Sequence, residues 1–433
     1  MKPIKQSDVL IIGGGIMGTT TAFFLRRRVN PRSVTVLERG LTGQQASGTN
    51  FGGVRRQGRM LPQLGMANRA LQTWYRSREL LGEDVEFLPS GHTRVCYHAH
   101  DADNFDQYAL DAREYGLDLE VLHGAKMFER FPFLGREVRA ASISPLDGHA
   151  NPRLAAPAFG RAAARLGAAI VENTDVIRVE KDGGGFRVET ATGERYQAEQ
   201  LVVCAGAWAG ALSAQFGEPV PLSARGPQMA VTEPVPYIFT SSMGVFTSVK
   251  EESVYFRQIP RGNIILGGGP SGPADAVTRR AGVLPEHTVQ QLAQFRRLAP
   301  AMTPLHVIRV WSGVEGYLPD SEPVIGASGT ADGLFYAFGF SGSGFQIGPG
   351  VGETLAELLD TGATTMPLDA FSIGRFQSAT SSATVVTGST TAATSGAASA
   401  AGSIASTAHG AALATGNTTA AASGAAPAVS SAT

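Results

Sequence analysis

The sequence predicts an α/β protein in which a parallel-sheet layer, drawn from separated stretches of chain, alternates with a discontinuous α+β part built on a mainly antiparallel sheet. Three observations carry this. Residues 7–12 (SDVLII) form a short apolar run that enters Gly13-Gly14-Gly15-Ile16-Met17-Gly18, and residues 19–28 continue with helical spacing. Residues 201–206 (LVVCAG) again run an apolar strand into small residues. Stretches rich in strand formers and broken by Pro and Gly, chiefly residues 169–190 and 220–269, separate these segments. At 433 residues and 43% hydrophobic content, the chain can bury a large core, more than one domain's worth.

The opening segment is the most specific. Gly13 permits a tight turn, Gly15 lets backbone approach a pyrophosphate, and Gly18 lets helix and strand pack closely. Ile16 and Met17 then begin a helix whose N–H groups and positive dipole end face the phosphates. A second strand, residues 33–37, ends in Glu38, twenty residues after Gly18, where a carboxylate can bind a ribose 2′-OH. Strand, glycines, helix, strand and acid in this order predict a Rossmann-like dinucleotide site. Glu38 would repel the 2′-phosphate of NADP and suits NAD or FAD equally. Residues 44–53 (QQASGTNFGG) point to FAD, because a small, polar, Gly-rich loop suits a flat ligand, whereas an NAD site would continue βαβ here.

The remaining elements follow in order. Residues 61–81 carry apolar side chains at helical spacing, and residues 85–97 read as strands around the Ser90-Gly91 turn. Residues 102–115 and 125–131 are helical, as is the Ala-rich stretch 151–166. Strands at 169–171, 174–181, 186–190 and 200–204 make a meander turned by Gly183-Gly184-Gly185. Residues 286–299 are a helix, 334–337 a strand, and 348–359 the last helix. Gly267-Gly268-Gly269-Pro270-Ser271-Gly272 matches the glycine motif literally, but Pro270, Gly272 and Pro273 forbid the helix that must follow. After Arg375 no charged residue occurs, and an Ala/Ser/Thr/Gly-rich tail cannot bury enough apolar surface to fold, so residues 377–433 are expected to be disordered.

Composition excludes several functions. A net charge of −1 gives no electrostatic case for nucleic acid or an anionic membrane. Cys96 and Cys204 are too few for a zinc site, an iron–sulfur cluster or a disulfide framework, which suits a cytoplasmic location. Lys2 and Lys5 ahead of an apolar run resemble a signal peptide, but Asp8 and the glycine triplet interrupt it. No apolar run is long enough for a transmembrane helix, and no metal constellation is expected.

Taken together, the chain resembles the D-amino-acid oxidase family of FAD-dependent oxidoreductases, which includes sarcosine and glycine oxidases. The resemblance covers nearly all of residues 7–376. It rests on the opening glycines with Glu38, residues 46–59 (ASGTNFGGVRRQGR), 203–208 (VCAGAW), 311–326 (WSGVEGYLPDSEPVIG) and 333–352 (GLFYAFGFSGSGFQIGPGVG). Within the family it is most similar to FAD-bearing subunits of opine oxidases and of hydroxyproline or proline dehydrogenases. The resemblance implies a glutathione-reductase-type FAD-binding domain over residues 1–88, 146–220 and 310–376, and a substrate domain over 89–145 and 221–309.

It also implies FAD contacts beyond the opening motif: Arg39 after the acid, Ser47, Gly48, Asn50 and Gly53 in the following loop, then Val176. Ala205, Gly206, Trp208 and Gly313 extend that set. Gly342, Ser343, Gly344, Phe345 and Gln346 would pass tightly over the flavin and aim a helix N-terminus at its anionic edge. The tethering cysteine of sarcosine oxidases falls at Gly313, and no His lies between Gly40 and Gly53, so FAD is expected to be non-covalent. The oxygen-activating lysine of sarcosine oxidases falls at Ile265, which argues for a dehydrogenase. The carboxylate-binding arginine of glycine oxidases is replaced in its region by Glu315.

The candidate substrate-positioning residues are Arg56 (with Arg55 and Arg59 beside it), Tyr255, Arg257, Glu315 and Gln346. A guanidinium clamps a carboxylate bidentately, and Glu315 can attract an ammonium. His92 and His306 read as structural. The expected activity is oxidation of the C–N bond of an amino or imino acid (hydroxyproline, proline, opine or sarcosine-like) by hydride transfer to flavin N5. Electrons would pass to a quinone, dye-like or protein acceptor, with hetero-oligomeric subunits among the partners. The alternatives are a peroxide-producing oxidase, an NAD-dependent dehydrogenase and a non-catalytic flavin-binding subunit of a complex.

Overall fold

The computed structural model describes residues 3–302 and 304–377. Apart from Gln377, the low-complexity tail lies outside the described residues. Ile4–Ile12 is the centre of the parallel sheet because Val9, Leu10 and Ile11 are fully buried, on alternate faces. It pairs in parallel with Arg195–Val203 on one side and Val34–Leu37 on the other. Ala169–Val171 continues beyond Val34–Leu37, Leu334–Phe338 continues beyond Arg195–Val203, and Val324–Ala327 closes that edge antiparallel. The expected meander is present in part: Val176–Asp182 pairs with Gly185–Thr190, which pairs with residues 195–198, whereas 169–171 and 200–203 belong to the parallel sheet instead.

One face of this sheet, through Val9, Ile11, Val36 and Val202, packs with the helices Ile16–Arg26, Pro152–Arg165 and Gly344–Thr361. The other face, through Leu10, Ile12, Leu201 and Val203, packs with the meander. Close approach of the helices depends on missing side chains. A Cβ at Gly348 would lie 2.7 Å from Ile16, and one at Gly352 would collide with Thr20. One at Gly350 would collide with the Met66 carbonyl on the helix Leu64–Tyr75. The Thr20 hydroxyl also donates to the Gly348 carbonyl at 3.1 Å.

The second sheet has the order Val307–Ser312, Gln228–Pro234, Asn263–Gly267, Tyr255–Gln258, Ser242–Val245, His92–Cys96, Ala140–Ser144, Glu120–His123. All neighbours are antiparallel except Ser242–Val245 with His92–Cys96. Its core is aromatic: Phe256 meets Phe239 and Phe295 edge-on at 4.7 and 4.9 Å.

Some elements differ from expectation. Residues 61–81 divide into a 3-10 turn Leu61–Gln63, the helix Leu64–Tyr75 and a short helix Ser77–Leu81, breaking at Arg76. Trp74 and Leu81, on either side of the break, bury in one core. Of residues 85–97 only His92–Cys96 is regular strand, since Leu88 is taken up by a bridge to His149. The loop expected at 44–53 contains the helical turn Ala46–Thr49. The last helix starts at Gly344, a turn earlier than expected.

Candidate active site

The opening glycines do different jobs. Gly13 has φ +112°, and a Cβ there would strike the Cys204 carbonyl. A Cβ at Gly18 would strike the Gly13 carbonyl, so Gly18 serves helix–strand contact and lies off the cavity wall. Gly15 faces open space, its Cβ position touching only Ser47 Oγ at 3.0 Å. Gly15 caps the helix without a side-chain cap, and the first helical amide, Ile16 N–H, donates to Ser47 Oγ at 2.8 Å.

From this turn a cavity of about 920 Å³ runs to the antiparallel sheet. Its wall begins at Gly13, Gly15, Ile16, Met17, Glu38 and Arg39 and continues along Ser47, Asn50, Gly53, Val176, Ala205, Gly206 and Trp208. The Arg39 guanidinium lies 4.6 Å from the Trp208 ring centre, and the Trp208 indole N–H donates to the Ala276 carbonyl. Gly342, Ser343, Gly344, Phe345 and Gln346 form the next stretch of wall, at the start of the last helix.

Two further expected contacts are corrected. Gly48 is packed on the Gly43 carbonyl, and Gly313 is packed on Thr49 so tightly that a Cβ would overlap the hydroxyl. Neither lines the cavity. The 46–59 loop is pinned from the same side by Trp311, whose indole donates to the Thr49 carbonyl at 2.8 Å.

The far end of the cavity is lined by Phe51, Arg55, Arg59, His92, Arg94, Met229, Tyr255, Glu315 and Tyr317. Arg59 is fixed near the Gly342 loop: its Nη1 donates to the Ser343 carbonyl at 2.9 Å and to Gln63 Oε1 at 3.1 Å. Among the described residues Arg55 makes one side-chain hydrogen bond, from Nη1 to the Gln57 carbonyl. Among the described residues Arg94 makes no hydrogen bond or ion pair, and its guanidinium lies over the Phe246 ring at 4.2 Å. Burial, with repulsion from Arg55, lowers Arg59 and Arg94 to about 9, so both remain cationic at neutral pH. Glu315 is buried, which raises it to about 7, and it accepts a hydrogen bond from Tyr317 at 3.2 Å. Burial also raises the Tyr255 phenol.

Three expected substrate residues point elsewhere. Arg56 is off the cavity wall, its Nε 3.0 Å from buried Asp147 and its Nη1 bonded to Asn68. Arg257 is shielded by Phe51, donating to the Phe51 carbonyl at 2.8 Å and bonded to His149, which burial lowers to about 3 and keeps neutral. The Gln346 amide turns toward the helix Leu64–Tyr75 and donates to the Ala67 carbonyl at 2.8 Å. Tyr255 and Glu315 do reach the cavity. Ile265 is not on its wall, so its side chain does not face the cavity and does not set the choice of electron acceptor. The second glycine motif carries no helix; Gly268 and Gly269, at φ +112° and +79°, turn the chain along the cavity.

Arg94 is a cavity residue that the motifs did not single out, and His92, read as structural, reaches the wall beside it. Alternation along His92–Cys96 puts Val95 in the aromatic core and His92 and Arg94 on the cavity face. His92, lowered well below its ordinary range by burial, bonds Gln57 at 2.8 Å.

A helix N-terminus whose N-cap is a glycine open to the cavity, an acid at the second strand end and a cavity bridging two sheets define a dinucleotide-dependent enzyme. Residues 8–358 match the model of the DAO family, described as FAD dependent oxidoreductase, and the chain belongs to that family. It is 28% identical over 380 residues to a glycine oxidase of Geobacillus kaustophilus, covering 85% of this chain and 97% of that one. It is 25% identical over 390 residues to a sarcosine oxidase subunit beta of Rhodobacter capsulatus, covering 87% and 90%. The structure of an L-proline dehydrogenase from P. horikoshii superposes with a TM-score of 0.79 at 28% identity, covering 87% of this chain and 99% of that one.

FAD is the cofactor. The wall fits it: Gly15 leaves space where a side chain would intrude, and the first turn of the helix, at Ile16 and Met17, faces that space. The cavity is near the upper end of the roughly 300–1,000 Å³ typical of small-molecule sites.

Proposed function

We propose that the protein oxidises the C–N bond of an amino or imino acid. The observation that carries this reading is the pair Arg55 and Arg94, two cavity-facing guanidiniums with no carboxylate partner among the described residues, at the end of the cavity beyond the Gly342 loop. A half-buried cation that faces a cavity without a counter-ion suits an anionic ligand, and a substrate carboxylate fits a guanidinium geometrically. Glu315, on the same wall, supplies the opposite charge for an amine. Relatives named as glycine oxidase and sarcosine oxidase subunit beta, with the L-proline dehydrogenase structure, support the same substrate class.

In this reading Gly15, Ile16, Met17 and Ser47 hold the pyrophosphate, Glu38 the ribose, and Gly342–Gly344 with Phe345 the flavin ring. FAD, when bound, supplies the two-electron acceptor for the substrate's hydride. The chain supplies orientation through Arg55 and Arg94, and Arg59 holds the ring loop through the Ser343 carbonyl. The FAD role is assigned to residues 1–88, 146–220 and 310–376 and the substrate role to 89–145 and 221–309. FAD is held non-covalently. Buried free Cys96 and Cys204 support a cytoplasmic setting, and no helix among the described residues is long and apolar enough to cross a membrane.

Similarity to a proline dehydrogenase supports a quinone, dye-like or protein acceptor, and the subunit-beta relatives support a hetero-oligomer. One observation favours a second reading, a peroxide-forming oxidase: Arg55, Arg59 and Arg94 offer positive charge that stabilises superoxide. Incubation with amino and imino acids and an artificial dye, followed by analysis for the oxo acid or cyclic imine, tests the reaction. Stopped-flow reoxidation in air separates the two acceptors: reoxidation as fast as turnover, with stoichiometric peroxide, makes the protein an oxidase.

A further inference from the structure

We propose that Glu315 accepts the proton of the substrate's ammonium group before the C–H bond breaks, with Tyr317 positioning its carboxylate. This rests on the amine-oxidising reading above. Glu315 opens the short strand Glu315–Tyr317, which pairs antiparallel with Ser223–Arg225. Its side chain is on the cavity wall, and its one side-chain hydrogen bond among the described residues is from Tyr317 to Oε2. No cation pairs with it among the described residues. Arg225 is its register partner, but that guanidinium lies over the Tyr317 ring at 4.9 Å. The other titratable groups that face this corner are Tyr255 and, beyond it, Arg55.

The placement matches the chemistry. A Cβ built on Gly342 would lie 3.4 Å from the Tyr317 hydroxyl and 3.9 Å from Glu315 Oε2. Both groups therefore stand against the loop assigned to the flavin ring. An amino acid in water at neutral pH carries an ammonium, and its nitrogen has no free lone pair to form C=N. Proton transfer breaks one N–H bond and makes an O–H bond on Glu315. The α-C–H pair can then leave as hydride to the bound FAD, which is reduced by two electrons as the C=N bond forms. Water hydrolyses the released imine, and Glu315 returns its proton to solvent. A cavity carboxylate that titrates near neutrality is matched to this task.

The test compares wild type, Glu315→Gln and Tyr317→Phe, each loaded with FAD. Anaerobic reduction at saturating substrate (glycine, sarcosine or proline) is followed from pH 6 to 10. The wild-type rate should fall on the acid side of pH 7. Glu315→Gln should lose about a hundredfold at pH 7 and recover toward the substrate amine's own pKa. Tyr317→Phe removes the hydrogen bond that favours the carboxylate, so the acid limb should move to higher pH.

A second readout uses α-methyl analogues without an α-hydrogen, 2-aminoisobutyrate and 2-methylproline. Their affinity should weaken below pH 7 in wild type and stay flat in Glu315→Gln. Unchanged pH profiles in both variants, or flat analogue binding in wild type, overturn the proton role while amine oxidation stands. Failure of every amino and imino acid to reduce wild-type flavin overturns the amine reading, and this proposal with it.

Discussion

The Glu38 carboxylate holds two backbone amides at once, Oε2 accepting from Gly14 and Oε1 from Gly40, each at 2.7 Å. Gly14 must be glycine for this approach, since its Cβ would lie 2.8 Å from that of Glu38. The acid is thereby fixed on the cavity wall, where the proposed FAD assignment puts the adenosine ribose. Glu38→Arg should weaken FAD binding tenfold to a hundredfold, because a lost hydrogen bond to a charged group costs roughly 1.5–3 kcal/mol. Fluorescence titration of FAD-free protein measures this, and an unchanged dissociation constant would place the ribose elsewhere.

Arg56 and Arg94 should separate stability from substrate binding. Arg56 is paired with fully buried Asp147, so Arg56→Met leaves an uncompensated charge and should cost about 3–5 kcal/mol in denaturant unfolding. Arg94 has no ion-pair partner to strand, so Arg94→Met should leave stability nearly unchanged. Its KM for an amino acid should rise roughly tenfold or more through loss of a charge-assisted contact. Reversed effects would assign the carboxylate to Arg56.

Acid or heat precipitation should release all the flavin as free FAD. At Gly313, where sarcosine oxidases place their tethering cysteine, Thr49 fills the space a Cβ would need. Gly313→Cys should therefore lower stability without creating a covalent link. Flavin retained in the washed precipitate, from wild type or variant, contradicts this.

Burial of Glu315 makes a pH-dependent prediction for the FAD-free protein. Its carboxyl is raised from the ordinary 4.5 to about 7, so the folded state holds that proton more tightly than the unfolded state. The associated stability is fully present below 4.5 and lost as pH rises through 7. Glu315→Gln removes the loss, so the variant should be the more stable at pH 8, by on the order of 3 kcal/mol, with the difference narrowing toward pH 5. Equal unfolding free energies at pH 8 would show an exposed carboxylate.

Local features were legible in the sequence and distant ones were not. The glycine turn and Glu38 could be read because strand, turn and acid lie within one contiguous stretch of chain. Which of Arg55 and Arg56 enters the cavity could not, since the answer depends on Asp147, far along the chain, capturing Arg56. Arg257 looked equivalent to Tyr255 two residues away on the same strand face. Phe51, from another layer, stands over its guanidinium at 5.5 Å and takes its hydrogen bond. Gln346 lies in the first turn of the last helix and on the cavity wall, but its amide follows Ala67 on a neighbouring helix.

The central claim is that an amino or imino acid delivers electrons directly to FAD in this chain. Anaerobic titration of the purified yellow protein with D- and L-amino acids, hydroxyprolines, sarcosine and opines tests it most directly. The account predicts bleaching of the flavin absorbance by at least one of these without any partner protein. Arg94→Met should require a much higher concentration of the same compound. Flavin that stays oxidised with every member of the panel, yet bleaches with dithionite, would contradict the account and leave a flavin-binding subunit without amine-oxidising activity of its own.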